Sequence, residues 1–328
     1  MQIKKADEVC LSFIFINFKI LSIMKNVKFF CAAFMLLAAS CGSDESLDSS
    51  VNPSDEQAQA PITVRVDGFS VGQGEFPGTG EPQGTRAATR AQSVSDYANV
   101  KFLTLAFYKG STEVFKQTQN RDDDATYDTF GEFSTSLPMG SYTMVVVANG
   151  GDNAVTLTSA TSASFGENRV METFAYSQAV NINSNAALSL SATLDRIVSC
   201  IAVNSSDGRT DEAKKLRITT TTGGRNFDPT TGLATVNSGI TATIMHPEAV
   251  GAVTRSATLL FLATDEQTAD VTIETLDEDD NVLFSKTVEN VPLKRNRWTV
   301  LTGAMYQTTA AGTFSVNTDW LTNENVNF

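Results

Sequence analysis

The stretch Leu137-Pro138-Met139-Gly140-Ser141-Tyr142-Thr143-Met144-Val145-Val146-Val147-Ala148-Asn149 decides the fold class. Its last seven residues are apolar on both alternating faces and rich in β-branched side chains. That composition suits a strand covered on both sides. Pro138 and Gly140 punctuate its start. A doubly covered strand needs neighbours in its own sheet and packing layers on both faces.

The surroundings supply them. Upstream, Leu103, Leu105 and Phe107 share one face of a strand, with Phe102 and Tyr108 on the other. Lys109-Gly110-Ser111 reads as a turn, and Val114-Phe115 opens a return strand. Earlier still, Ile62, Val64 and Val66 alternate with Thr63, Arg65 and Asp67. Gly68 breaks that period, and Phe69 and Val71 resume it in shifted register, as a β-bulge would produce. Asn120 to Asp124 reads as an exposed loop. Val180, Ile182, Leu188 and Leu190 close a first half.

A second set of strands begins at Leu194 to Val203. It continues through Thr258–Ala263, Asp270–Glu274, Val282–Phe284 and Trp298–Gly303, with Asn226 to Gly232 as a turn cluster. Thr210 to Leu216 is the one helical candidate. Strand after strand between turn signals predicts an all-β chain of two tandem β-sandwiches. The expected domains are residues 61–190 and 191–311, with a terminal strand over 312–328. In that strand Phe314, Val316 and Trp320 alternate with Ser315, Asn317 and Asp319. It can complete its own sheet or add to that of another copy.

The N-terminal region reads differently. Lys25 and Lys28 precede an apolar run from Phe29 to Leu37, which ends in Ala38-Ala39-Ser40-Cys41. This is the layout of a secretory signal, and a Cys directly after small residues looks like the lipobox of a bacterial lipoprotein. Residues 1–40 are therefore expected to be a leader, with Met24 as the native start and Cys41 the acylated residue. Gly42-Ser43-Asp44-Glu45 resembles the surface-export signal of Bacteroidetes lipoproteins, which implies the outer face of the outer membrane. Residues 41–60 are polar and Ser/Asp-rich and read as a flexible tether. Between the first strand and Tyr97 lies the breaker-rich segment 72–97. It carries Thr85-Arg86-Ala87-Ala88-Thr89-Arg90-Ala91, two arginines among small residues, which suits a trypsin-like protease.

Charge and rare residues exclude whole classes. The formal net charge is −13, and −16 once the five lysines and two acidic residues before Cys41 are removed. That argues against nucleic acid as a partner. Past the leader and Cys41, only Cys200 remains, in an apolar run, so no structural disulfide is expected. It reads as a buried core thiol, and a pairing with the single histidine, His246, is the alternative. One histidine rules out a His-rich zinc site and argues against a Ser-His-Asp triad. Neither Asp122-Asp123-Asp124 nor Asp277-Glu278-Asp279-Asp280 has the spaced ligands of a calcium loop. No catalytic residues and no cofactor are expected.

These pieces coincide in one pattern: Cys41, the strand Ile62 to Val71, the arginine-bearing segment, Leu137-x-x-Gly140-x-Tyr142, Leu194-x-Arg196, and Val291-Pro292-Leu293-Lys294-Arg295-Asn296-Arg297-Trp298-Thr299. With the final strand it resembles the fimbrillin family, the type V pilus subunits of Bacteroidales. The resemblance implies transthyretin-like sandwiches and a surface lipoprotein, palmitate-modified at Cys41. It implies cleavage by an Arg-specific protease at Arg86 or Arg90 and loss of the first strand. Polymerisation then follows by donor-strand exchange through Phe314, Val316 and Trp320. The implied partners are other fimbrial subunits, the protease, the outer membrane through the lipid, and receptors on host or bacterial surfaces. Two alternatives stand beside it: an uncleaved anchor or tip subunit of such a pilus, and an unrelated surface lipoprotein that binds glycan or host protein.

Overall fold

A computed structural model describes residues 58–71, 90–123, 129–166, 169–246, 248–306 and 314–317. Among these the regular structure is all β. The first-half strands are β1 (Gln59–Val71), β2 (Arg90–Gln92), β3 (Phe102–Lys109), β4 (Thr112–Asn120), β5 (Glu132–Pro138), β6 (Gly140–Asn149), β7 (Thr156–Ser159), β8 (Ser162–Ser164), β9 (Thr173–Ile182) and β10 (Leu188–Arg196). The second half holds β11 (Ser199–Ser205), β12 (Lys215–Thr220), β13 (Asn226–Asp228), β14 (Leu233–Ala234), β15 (Thr241–Met245), β16 (Arg255–Leu260), β17 (Glu266–Leu276), β18 (Val282–Lys294), β19 (Trp298–Gly303) and β20 (Ser315–Asn317).

The first sandwich is one long sheet folded on itself. Its order is β2-β1-β10-β9-β6-β3-β4, with β5 also paired to β1. Between β9 and β10 the ladder shrinks to two pairs, Asp195 with Ala175 and Arg196 with Phe174. At that corner the β5-β1-β10 layer turns over to face β9-β6-β3-β4. Ile62, Val64 and Phe69 from one layer meet Leu103, Phe107, Met144 and Val146 from the other in a common core. The β3–β4 turn falls at Gly110, whose φ of 61° is the left-handed conformation that glycine adopts without strain.

The second sandwich packs β16-β11-β19-β20 against β15-β12-β17-β18. Its core joins Ile201, Val203 and Leu301 to Leu216, Ile218, Val271 and Ile273. Pro292 lies in β18, an edge strand whose backbone ladder among the described residues is with β17, where a missing amide hydrogen costs least.

A third core lies between the two sandwiches. The outer faces of β3 and β6 (Tyr108, Val145, Val147) pack with Cys200, Leu259 and Val300 from the second sandwich. The small sheet β14-β13-β8-β7 draws two strands from each half and closes one side of this core. There Phe227 stacks on Phe261 at 4.2 Å between ring centroids. The two-sided apolar character of β6 therefore has a cause on each face: its own sandwich, and the neighbouring one.

Four sequence expectations change. Leu194 to Val203 is not one strand opening the second half: Leu194 and Arg196 lie in β10, which crosses the expected 190/191 division and belongs to the first sheet, and β11 begins at Ser199. Thr210 to Leu216 is not helical. Lys215–Thr220 is β12, with Leu216, Ile218 and Thr220 inward and partners on both sides. The period-2 burial overrides the helix-favouring Glu212-Ala213-Lys214. Asn226–Asp228 is a strand rather than part of a turn, and the turn is confined to Pro229–Gly232. Arg121 is not a solvated loop residue. It donates to the carbonyls of Val100 (2.7 Å) and Val94 (2.8 Å) and lies over the Phe130 ring at 4.2 Å.

Candidate functional site: the first strand, its groove and the terminal strand

Strand β1 forms the first sandwich's core as a separable piece. Ala60, Ile62, Val64, Val66, Phe69 and Val71 point inward and are at most 5% exposed, while Gln59, Pro61, Thr63, Arg65 and Asp67 face solvent. One flank runs parallel to β10, from Ile62 opposite Leu188 to Ser70 opposite Asp195, with a register shift between Val66 and Gly68. The other flank pairs antiparallel with β5 over Gln59–Arg65 and with β2 over Phe69–Val71. The expected bulge is therefore real. Gly68 is required there because a Cβ would sit 2.2 Å from the Gln92 carbonyl oxygen.

Five of the six inward side chains are Val, Ile or Phe. At about 1.5–3 kcal/mol each, their burial is worth on the order of 10 kcal/mol. That is comparable to the whole stability of a typical domain, about 5–15 kcal/mol. Loss of β1 with nothing in its place is therefore expected to cost a large part of the first sandwich's stability.

Beyond the bulge, β1 ends in an aromatic cluster over an ion pair. Phe69 lies 4.9 Å from Phe174 and 5.5 Å from Tyr97, and Tyr97 meets Phe174 edge-on. Beneath them the Tyr97 hydroxyl donates to Glu172 Oε1 at 2.7 Å. The Arg196 guanidinium donates to the Tyr97 oxygen at 2.9 Å and pairs with Glu172 at 2.7 Å. Burial, reinforced by the Glu172 charge, pushes the Tyr97 hydroxyl pKa far up, so it stays a donor. Sequence reasoning missed Tyr97 and Glu172. The only signal was a charged residue between apolar neighbours, at Met171-Glu172-Thr173-Phe174 and Leu194-x-Arg196-Ile197-Val198.

Strand β20 is bound far more loosely. It is the edge of its sheet, with three pairs to β19, Val300–Asn317, Leu301–Val316 and Thr302–Ser315. Phe314 packs half-buried against the second core, above Gly303, and Val316 is exposed. The structure thus shows Phe314 and Val316 in the arrangement where the terminal strand extends its own sheet. Trp320 lies outside the described residues, as do Cys41 and Arg86. Arg90 is described in its backbone only, in β2 opposite Val71.

The remaining candidates have structural roles. Cys200 is fully buried in the core between the sandwiches, and burial pushes its thiol pKa up, which makes it inert. It is not paired with His246, whose ring contacts Tyr306 (Nε2 to hydroxyl, 3.0 Å) and Glu248 (3.6 Å). Asp277 accepts from the backbones of Asp279 and Asn281 and from the Asn281 amide, which ties a turn. Among the described residues no group of three or more His, Cys, Asp or Glu is placed to hold a metal ion.

Residues 73–327 match the model of DUF6562, a family of unknown function, and the chain belongs to that family. The match starts just past β1. No curated protein sequence matches the chain. Similar solved structures include a candidate adhesin of Bacteroides ovatus (12% identity, 75% of this chain and 88% of that one, TM-score 0.47). They also include the fimbrial anchor protein Mfa2 of Porphyromonas gingivalis (10%, 79% and 98%, TM-score 0.45). A third is the tip fimbrial protein Mfa3 of the same organism (10%, 79% and 99%, TM-score 0.36). Similarity this distant assigns this chain no role.

Proposed function

We propose that this chain is a structural subunit of a cell-surface filament, assembled by exchange of its first strand. It is exported as a lipoprotein acylated at Cys41 and reaches the outer membrane surface. Cleavage at Arg86 or Arg90 frees β1 together with the lipidated N-terminus. The terminal strand of another copy, running from Phe314, then fills the vacated groove. Donor and groove lie on different parts of one subunit, so the contact is head-to-tail and propagates.

One observation carries this reading. β1 supplies a full row of core side chains, yet its C-terminal link to the rest of the fold is the segment 72–89, which holds Arg86. Backbone bonding on both flanks means that a replacement strand restores a ladder as well as a core.

A second reading, an anchor or tip subunit that keeps its first strand, is favoured by a different observation. β20 is paired to its own β19, as in a subunit that donates nothing. The two separate on the N-terminus and mass of protein recovered from the cell surface. A chain starting at Ala87 or Ala91, without lipid and running as a heat-sensitive ladder, supports the exchanging subunit. A chain starting at acylated Cys41 overturns it and leaves an anchor or tip subunit or an unrelated surface lipoprotein.

A further inference from the structure

Resting on the strand-exchange reading, we infer that the Phe69 slot is the specificity-determining position of the groove, and that Trp320 of a second copy fills it. The slot is walled by Tyr97 and Phe174, of which Tyr97 is hydrogen-bonded to Glu172 and Arg196, and Phe69 occupies it with no exposed surface. An aliphatic side chain would leave two aromatic faces uncovered there, so the slot selects an aromatic ring.

Spacing on the two strands identifies which ring. On β1 the inward residues Ile62, Val64, Val66 and Phe69 span seven positions because the bulge adds one. On the terminal segment Phe314, Val316, Thr318 and Trp320 span six in sequence, the spacing that an inward row without a bulge would have. Laid in the direction of β1, Val316 replaces Val64, Thr318 replaces the similarly shaped Val66, and Trp320 replaces Phe69. The donor thus keeps the parallel ladder to β10 and the antiparallel ladder to β5 that β1 makes here.

The reversed direction puts Phe314 in the slot and Trp320 at the Ile62 position. Two arguments oppose it. The single largest mismatch in volume, indole for an isoleucine side chain, then falls in a packed core. A buried indole also needs an acceptor for its N–H. The Tyr97 ring that walls the Phe69 slot carries a hydroxyl bonded to the Glu172 carboxylate, whereas Ile62 packs among the apolar side chains of the first core.

Engineered cysteines test the register on cleaved, assembling full-length protein. If Trp320 takes the place of Phe69, Leu321 stands where Ser70 does, opposite Asp195. The pair Asp195→Cys with Leu321→Cys then forms an intersubunit disulfide, and Trp320→Ala lowers the temperature at which the ladder dissociates while Trp320→Phe largely preserves it. Reversed polarity instead links Asp195→Cys to Thr313→Cys. That outcome, or a ladder that forms without the Leu321 cross-link, overturns the assignment of Trp320 and leaves strand exchange standing. Absence of any ladder from the cleaved wild-type chain removes strand exchange and this inference together.

Discussion

Arg90 stands directly opposite Val71, in the three-residue ladder that ties β2 to the end of β1. A protease binds its substrate as an unpaired extended strand, so cutting after Arg90 first requires β2 to leave β1. Arg86 precedes that ladder in the sequence. Processing at Arg86 is therefore the expected route. Arg86→Ala should leave a chain that still begins at Cys41, while Arg90→Ala should still yield Ala87. N-terminal sequencing of surface protein from the two variants decides it. A new N-terminus at Ala91 in the Arg86→Ala variant, at normal yield, would show that the ladder is no barrier.

The bulge at Gly68 predicts a sharp local intolerance. Because an added Cβ meets the Gln92 oxygen, a backbone atom, at 2.2 Å, Gly68→Ala should cost about 3 kcal/mol or more, the upper end of the ~1–3 kcal/mol usual for forcing atoms into a packed site. Gly110→Ala is the control. Its Cβ would meet nothing within 4 Å, and only the positive φ is penalised, by about 1–2 kcal/mol. Urea midpoints of the two variants give the comparison. Equal midpoints would mean that β1 and β2 are less closely apposed at the bulge than described here.

The pair bonded to the Tyr97 hydroxyl is a buried charge couple, with Arg196 fully buried and Glu172 nearly so. Removing one partner strands the other. Arg196→Met alone should destabilise by about 3–5 kcal/mol, and adding Glu172→Gln should recover part of the loss. Thermal melts of the single and double variants test it. Additive losses would show that the two side chains act independently.

His246 gives the fold an acid-sensitive element. Burial holds its imidazole pKa below the ordinary 6.5, and the nearby Glu248 opposes this only in part. Below about pH 6.5 the unfolded chain takes up a proton that the folded chain resists. The contribution to stability is complete above pH 6.5 and declines as pH falls from there toward the folded-state pKa. His246→Gln should flatten that part of the stability profile. An unchanged acid limb in the variant would assign the acid loss to other groups.

How far the sequence could be read depends on what each feature requires. β1 with its bulge, the β3–β4 turn and β6 were legible because alternation and a misplaced glycine are local signals. The partner of β1 was not. A period-2 row looks the same beside any neighbour, and β1 pairs in parallel with β10, more than a hundred residues away. That β6 is covered on both faces was visible, but not that Cys200 and Leu259 of the second sandwich supply one cover. The Tyr97–Glu172–Arg196 cluster joins positions 75 and 24 residues apart, a distance at which composition carries no trace. Of the candidate site, the terminal strand was read as amphipathic. Its pairing with β19 could not be foreseen, because an edge strand and a donor strand have the same pattern.

The shared core between the sandwiches bears on mechanics. A pull between the groove that β1 fills and the terminal strand passes from one sandwich to the other. It crosses a face-to-face contact that includes the Phe227–Phe261 stack and a sheet woven from both halves. Among the described residues, this packing gives the two sandwiches no free joint about which one could swing from the other. If such units join head to tail as proposed, the packed contact between the sandwiches would resist stretching within each unit.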